Sequence, residues 1–212
     1  MLAAVDALLP LSLLEAVRHA DTPSQEELDA ELVDELRNKR LGLSDTVYTQ
    51  IKRYTDAMRR RQRISPEETL ALARLVGRRP DAEEVFREAG RFLAREAYKT
   101  ISPTLRGMLR GLPAIVARPL ALRRVRHLSA RYLNGQVKRV GSAVLFEIEH
   151  PVTAGAGQGS TGCLYPEAFL HELLHLLIGS TGVVEHVRCT TRGDSRCEWR
   201  ADWTAINRAA AA

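Results

Sequence analysis

Cys163, Cys189 and Cys197 are the only cysteines among 212 residues, and all three fall in the last quarter of the chain. Cys189 and Cys197 flank Thr190-Thr191-Arg192-Gly193-Asp194-Ser195-Arg196, whose Gly193-Asp194 pair is a turn signal. A hairpin centred on Gly193 makes the two cysteines cross-strand neighbours with their sulfurs on one side. Cys163 lies outside that hairpin, so tertiary folding must bring it in. His186 precedes Cys189 by two intervening residues, the short spacing of zinc sites. The leading reading is a structural zinc site built from Cys163, His186, Cys189 and Cys197.

Two plainer readings compete. Cross-strand cysteines can form a disulfide, and free cysteine packs in cores as a small hydrophobe. The N-terminus, Met1 to Asp6, has no positively charged segment and is followed by Pro10, which makes a poor secretory signal. A cytoplasmic location is therefore expected, and stable disulfides are disfavoured there. Bound metal is preferred over inert thiols, and inert thiols over a disulfide.

Residues 1–80 read as a helical extension, 81–203 as the main domain and 204–212 as a frayed tail. Thr22-Pro23-Ser24-Gln25 and Ser65-Pro66-Glu67-Glu68 each combine a cap, a proline at the first helical position and a capping-box residue. Asp81 announces a third helix. From it, Ala82, Val85, Phe86, Ala89, Leu93 and Ala97 recur at a period near 3.6, one buried face running to about Tyr98. Ser102-Pro103 starts another helix that Pro113 ends, and a further one is expected from Pro119 to Tyr132 before Asn134-Gly135.

The pattern then changes to period two. Gln136 to Val140 and Ser142 to Glu149 read as a strand pair joined at Gly141. Residues 153–162 are too glycine-rich for regular structure and are expected to form a flexible loop. Pro166 to Ile178 reads as an apolar helix ended by Gly179, followed by strands from about Val183 to Thr190 and Arg196 to Trp203. In the last strand, Cys197, Trp199, Ala201 and Trp203 share one face. The fold class is α+β: helices packed on an antiparallel sheet of about four strands, with a zinc-binding C-terminal hairpin.

The order of strand pair, glycine-rich loop, Cys163, apolar helix, then Cys189 and Cys197 around a Gly-Asp turn resembles the 4-vinyl reductase-like domain family. The resemblance covers about residues 81 to 203 and is most specific over Arg188-Cys189-Thr190-Thr191-Arg192-Gly193-Asp194-Ser195-Arg196-Cys197-Glu198-Trp199. That family includes a protein associated with bacteriochlorophyll synthesis and the aromatic-sensing domains of bacterial transcription activators, and its fold is similar to subunits of the TRAPP vesicle-tethering complex. The resemblance implies a zinc held by three cysteines and a glutamate beside a buried pocket for small aromatic molecules. The family's ligand-contacting residues do not map onto this sequence.

This chain departs from the pattern at the glutamate, because His186 stands three before Cys189, with Glu185 adjacent. Strand alternation favours Glu185, which shares a face with Val187 and Cys189 in a regular strand. His186 shares that face only if a bulge or turn intervenes. His186 is nevertheless preferred, since imidazole is the better zinc ligand and its spacing matches the family.

His171-Glu172-Leu173-Leu174-His175 is a formal His-Glu-x-x-His on an expected helix, the basis of an alternative reading as a zinc metallopeptidase. The longer metzincin pattern fails, with Ile178 at the glycine position and no histidine at 181. Leu173, Leu174, Leu177 and Ile178 are expected to form the helix's buried stripe. No catalytic residue is named elsewhere, because no nucleophile, base and orienting group can be assembled.

Arg59-Arg60-Arg61-Gln62-Arg63 and the cluster Arg123, Arg124 and Arg126 could meet phosphates, but aromatic residues are not interleaved with them, so nucleic acid is disfavoured. No apolar run is long enough to span a bilayer. The reading favoured is a non-catalytic sensory or ligand-binding module with structural zinc. Its ligand, from the resemblance, is a small hydrophobic, aromatic or tetrapyrrole-like molecule. A further alternative is an interaction scaffold using residues 1–80 as a homodimer or partner surface.

Overall fold

Serine caps set out the helices. In the computed structural model, which describes residues 4–22, 42 and 44–203, Ser44, Ser65 and Ser102 each accept a hydrogen bond from the backbone N–H three residues on. They open α2 (Asp45–Arg59), α3 (Pro66–Val76) and α5 (Pro103–Gly111), which follow α1 (Leu8–Asp21). The helix after Asp81, α4 (Ala82–Lys99), has no such side-chain cap. The Asp81 carboxylate instead takes the Arg79 guanidinium at 2.8 Å. The expected cap at Thr22-Pro23-Ser24-Gln25 lies largely outside the described residues, and Thr22 itself ends α1.

The next helix, α6 (Ala114–Leu133), begins five residues earlier than Pro119 suggested. Proline lacks the N–H that would bond the carbonyl of Ile115, but Ile115 is 86 % exposed, so solvent can serve that carbonyl and the helix runs through. Asn134 ends it in the left-handed conformation, as the Asn-Gly pair predicts.

Four strands form one antiparallel sheet in the order β3-β4-β6-β5: β3 (Gln136–Val140), β4 (Ala143–Ile148), β5 (Val184–Arg188) and β6 (Cys197–Asp202). A separate short ladder, absent from the sequence reading, pairs β1 (Val5–Asp6) with β2 (Arg63–Ile64). The α+β class and the four-stranded antiparallel sheet therefore hold. In β6 the apolar alternation is as expected, with Cys197, Trp199, Ala201 and Trp203 buried.

Helix α7 (Leu164–Ile178) lies between the sheet and α4, and buries Leu173, Leu174 and Leu177 completely, whereas Ile178 is only partly covered. Gly90 of α4 makes the close approach possible: a Cβ there would sit 2.3 Å from the Tyr165 carbonyl oxygen. On its other side α4 meets α1. One continuous apolar core runs from Val5 to Trp203. Within it, the hydroxyls of Ser12 on α1 and Tyr165 on α7 are 2.8 Å apart.

Residues 153–162, expected to be an irregular, flexible loop, form a series of turns that is exposed at Gly155 and at 157–160 but anchored at three points. Thr153, Ala156 and Gly162 are buried, and a Cβ on Gly162 would overlap the Thr153 carbonyl oxygen at 1.8 Å. Glycine is used here for close backbone approach. The loop ends in a 3-10 turn, Thr161–Cys163, that delivers Cys163 to the edge of the sheet. Among the described residues, no helix is long and apolar enough to cross a membrane.

Candidate metal centre

Three separate segments deliver the four ligand atoms. Cys163 comes from the 3-10 turn before α7, His186 from the middle of β5, Cys189 from the residue just after β5, and Cys197 from the first residue of β6. The three sulfurs and a ring nitrogen of His186 all lie within 4.8 Å of one another. Among the described residues this is the group of histidine, cysteine and acidic side chains placed to hold an ion. All three cysteines are buried and unpaired by disulfide.

The spacings have a chemical meaning. The Cys163 sulfur is 3.7 Å from that of Cys189 and 3.9 Å from that of Cys197. A disulfide needs about 2.05 Å. A tetrahedral zinc with Zn–S bonds of about 2.3 Å has ligand edges of about 3.8 Å, which these separations match. The His186 Nε2 is also buried without a hydrogen-bond partner, an orphaned polar atom of the sort that a metal would satisfy. Three soft thiolate donors and an imidazole fit zinc.

The β5–β6 connection is shaped around the sulfurs. The ladder shifts register between His186 and Arg188, leaving Val187 as the extra residue of a bulge. In a regular strand His186 and Cys189 would face opposite ways; the bulge turns both inward. Glu185, paired with Arg200, stays exposed on the other face. Beyond the bulge the loop is not a plain two-residue hairpin. Thr190–Arg192 form a 3-10 turn, Gly193 is left-handed at φ 93°, and the Asp194 carboxylate accepts the Cys189 N–H at 2.8 Å.

Donors from this turn approach the sulfurs. The Thr190 N–H reaches the Cys197 Sγ at 3.4 Å, and the Thr191 hydroxyl lies 2.9 Å from the Cys189 Sγ. Hydrogen bonding with the Cys163 thiol above all, and then the nearby His186 imidazole and the Thr190 donors, hold the Cys197 thiol below the ordinary range, against a desolvation cost. The same contact with Cys197, and then burial, pushes the Cys163 thiol up. Of the two sulfurs, Cys197 is the one whose surroundings favour the thiolate, the form that binds metal.

Sequence reasoning missed the support beneath the imidazole. The His186 ring stacks on the Trp199 indole, with ring centroids 4.9 Å apart and planes 12° apart. Alternation placed Trp199 inward, but its partner across the ladder depends on register. It also missed the burial of Glu147, whose carboxylate accepts from the Lys138 ammonium at 2.7 Å and faces the Arg196 guanidinium at 3.6 Å.

Beside the centre, a cleft of about 350 Å³ opens between the start of α7, the end of β4 and α1. Leu9, Leu133, Ile148, Val152, Tyr165 and Arg196 are among its walls. It adjoins the metal centre through Arg196, the neighbour of Cys197, and through Ile148, which pairs with Cys197. The Arg196 Nε has no hydrogen-bond partner although the atom is buried.

The His-Glu-x-x-His helix is differently placed. His171 and His175 are exposed, and Glu172 is engaged by Arg95 at 3.2 Å. The His175 Nδ1 faces the Ser180 carbonyl oxygen at 3.2 Å. Among the described residues, no third ligand joins the two histidines. The chain matches no protein-family model, no curated protein and no solved structure.

Proposed function

We propose that the chain is a cytoplasmic, non-catalytic ligand-binding or sensory module in which one structural zinc holds the β5–β6 turn and the start of α7 together, and the adjoining cleft takes a small aromatic or hydrophobic molecule. The observation that carries this reading is the Cys163, His186, Cys189 and Cys197 cluster, with sulfur separations of 3.7 and 3.9 Å. Four protein donors would close a tetrahedral shell and leave no position for a substrate, the signature of a structural site. The reading accords with the resemblance to 4-vinyl reductase-like domains.

The cleft supports the ligand half of the reading. At about 350 Å³ it lies at the small end of the ~300–1,000 Å³ range of small-molecule sites, which suits a one- or two-ring aromatic better than a tetrapyrrole. Leu9, Leu133, Ile148 and Val152 would cover the faces of a ring, while the polar remainder of the lining, Gln136, Glu147 and Arg196 among it, would meet its substituents; the unpartnered Arg196 Nε would favour an acceptor such as a phenolic oxygen or carboxylate. A panel of phenols and aromatic acids is expected to raise the Tm of the zinc-loaded protein. Val152→Trp, which fills the cleft, should abolish that rise and leave the zinc content unchanged. A full panel without any shift would contradict the ligand reading while leaving the zinc site standing.

A further inference from the structure

Charge along the chain is strongly segregated. Between Glu96 and Glu147 there is no acidic residue and there are ten lysines and arginines, so this stretch carries +10 of a chain whose net charge is +5, and the remainder carries −5. The stretch comprises α5, α6, β3 and most of β4. Its arginines are only partly neutralised: Arg131 meets Asp6 at 3.9 Å and Lys138 meets Glu147, but no carboxylate among the described residues pairs with Arg123, Arg124 or Arg126.

The same stretch carries the most exposed aliphatic side chain among the described residues. Ile115 is 86 % exposed, and Met108 and Val116 are 45 % and 46 % exposed, all at the corner where α5 passes into α6. Leu109, Ala117 and Ala121 anchor that corner to the core, so the exposed side chains sit on a supported tip. Along α6, Val116, Pro119, Arg123, Arg126 and Ala130 recur at spacings of three and four on the exposed face. The aliphatic tip therefore continues directly into a basic stripe.

We propose that the α5–α6 corner is a peripheral docking surface for an anionic lipid bilayer, with Met108, Ile115 and Val116 entering the acyl boundary and Arg123, Arg124 and Arg126 at the headgroups. Neither element suffices alone: a few aliphatic side chains bind a membrane weakly, and basic residues act only within a Debye length of an anionic surface. Nucleic acid fits less well. The exposed tip side chains are aliphatic rather than aromatic and offer no stacking platform, while Tyr98 and Tyr132 are buried. This surface is independent of the metal centre and of the cleft.

Flotation of the zinc-loaded protein with vesicles tests the proposal. Binding is expected to vesicles of phosphatidylcholine mixed with phosphatidylglycerol at low salt, and not to phosphatidylcholine alone. The double variants Ile115→Glu/Val116→Glu and Arg123→Glu/Arg124→Glu should each weaken that binding by roughly tenfold or more, with Tm unchanged because all four side chains are exposed. Equal binding to neutral vesicles, no binding to anionic ones, or binding indifferent to both double variants would overturn it. So would retention by DNA without retention by vesicles, or a concentration-dependent dimer that Ile115→Glu/Val116→Glu dissolves.

Discussion

His186 lies flat against Trp199, its partner across the β5–β6 ladder, with 4.9 Å between ring centroids and 12° between planes. The indole acts as a platform that fixes the imidazole on the inward face just before the bulge. Residues that orient a metal ligand typically matter by roughly 10–100-fold in affinity. Trp199→Leu should therefore weaken zinc binding in competition with a chromogenic chelator, and should also lower Tm, because a fully buried indole is lost. Trp199→Phe, which keeps a ring under His186, should retain most of the affinity. Equal losses in the two variants would show that the stack contributes packing alone.

The bulge decides between two neighbours. His186→Ala should reduce zinc affinity by at least roughly tenfold, whereas Glu185→Gln should leave it unchanged, because Glu185 is exposed and paired with Arg200 across the ladder. The reverse pattern in metal titrations would move the fourth ligand by one residue.

Gly162 has no room for a methyl group, since a Cβ would lie 1.8 Å from the Thr153 carbonyl oxygen. Gly162→Ala must displace the backbone that presents Cys163. A loss of stability of about 1–3 kcal/mol or more is expected in urea unfolding, together with weaker zinc retention. Gly141→Ala probes a different effect, because only its left-handed φ of 59° opposes a side chain, so its cost should be smaller and zinc retention should be unaffected.

Arg79 joins the helical N-terminal region to α4 by bridging Asp21, at 2.6 Å, and Asp81, at 2.8 Å. Asp21 is buried, so Arg79→Ala should cost about 2–3 kcal/mol, somewhat below the ~3–5 kcal/mol for a fully buried pair. The Arg79 guanidinium, above all by its hydrogen bond, holds the Asp81 carboxyl below its usual range. A carboxyl that titrates lower in the folded chain than in the unfolded one adds stability that is complete above about pH 4 and is lost as pH falls further. Urea melts between pH 5 and pH 2.5 should show this loss in the wild type and a shallower one in Arg79→Ala.

Local chemistry made much of the fold readable in advance. Ser65-Pro66 and Ser102-Pro103 mark real helix starts, Asn134 and Gly179 mark real ends, and period-two alternation in Cys197, Trp199, Ala201 and Trp203 identifies the inward face. What could not be read depends on partners distant in sequence. The Val187 bulge is a property of register between β5 and β6, and alternation alone pointed to Glu185. Asp81 fails as a side-chain cap because Arg79 competes for it, and the 153–162 loop is anchored because Gly162 closes on the Thr153 backbone and Gly157 lies against Gly77. The exposed faces of His171 and His175 follow from the leucine stripe; the engagement of Glu172 by Arg95 does not.

His171 and His175 offer a control for metal assignment. The double variant His171→Gln/His175→Gln should leave zinc stoichiometry and Tm close to those of the wild type, as both side chains are exposed. Loss of bound zinc in that variant would place the ion on the helix instead of among the cysteines.

Metal content measured together with thermal unfolding decides whether Cys163, His186, Cys189 and Cys197 hold a structural ion. Purified protein should carry about one zinc per chain by elemental analysis; stripping it with a chelator should lower Tm markedly, and added zinc should restore it, because metal bound to the folded form alone stabilises that form. Cys189→Ser should reproduce the stripped protein and resist rescue. A chain that contains no zinc, takes up none when it is offered, and unfolds at the same temperature with or without chelator would rule out a structural zinc.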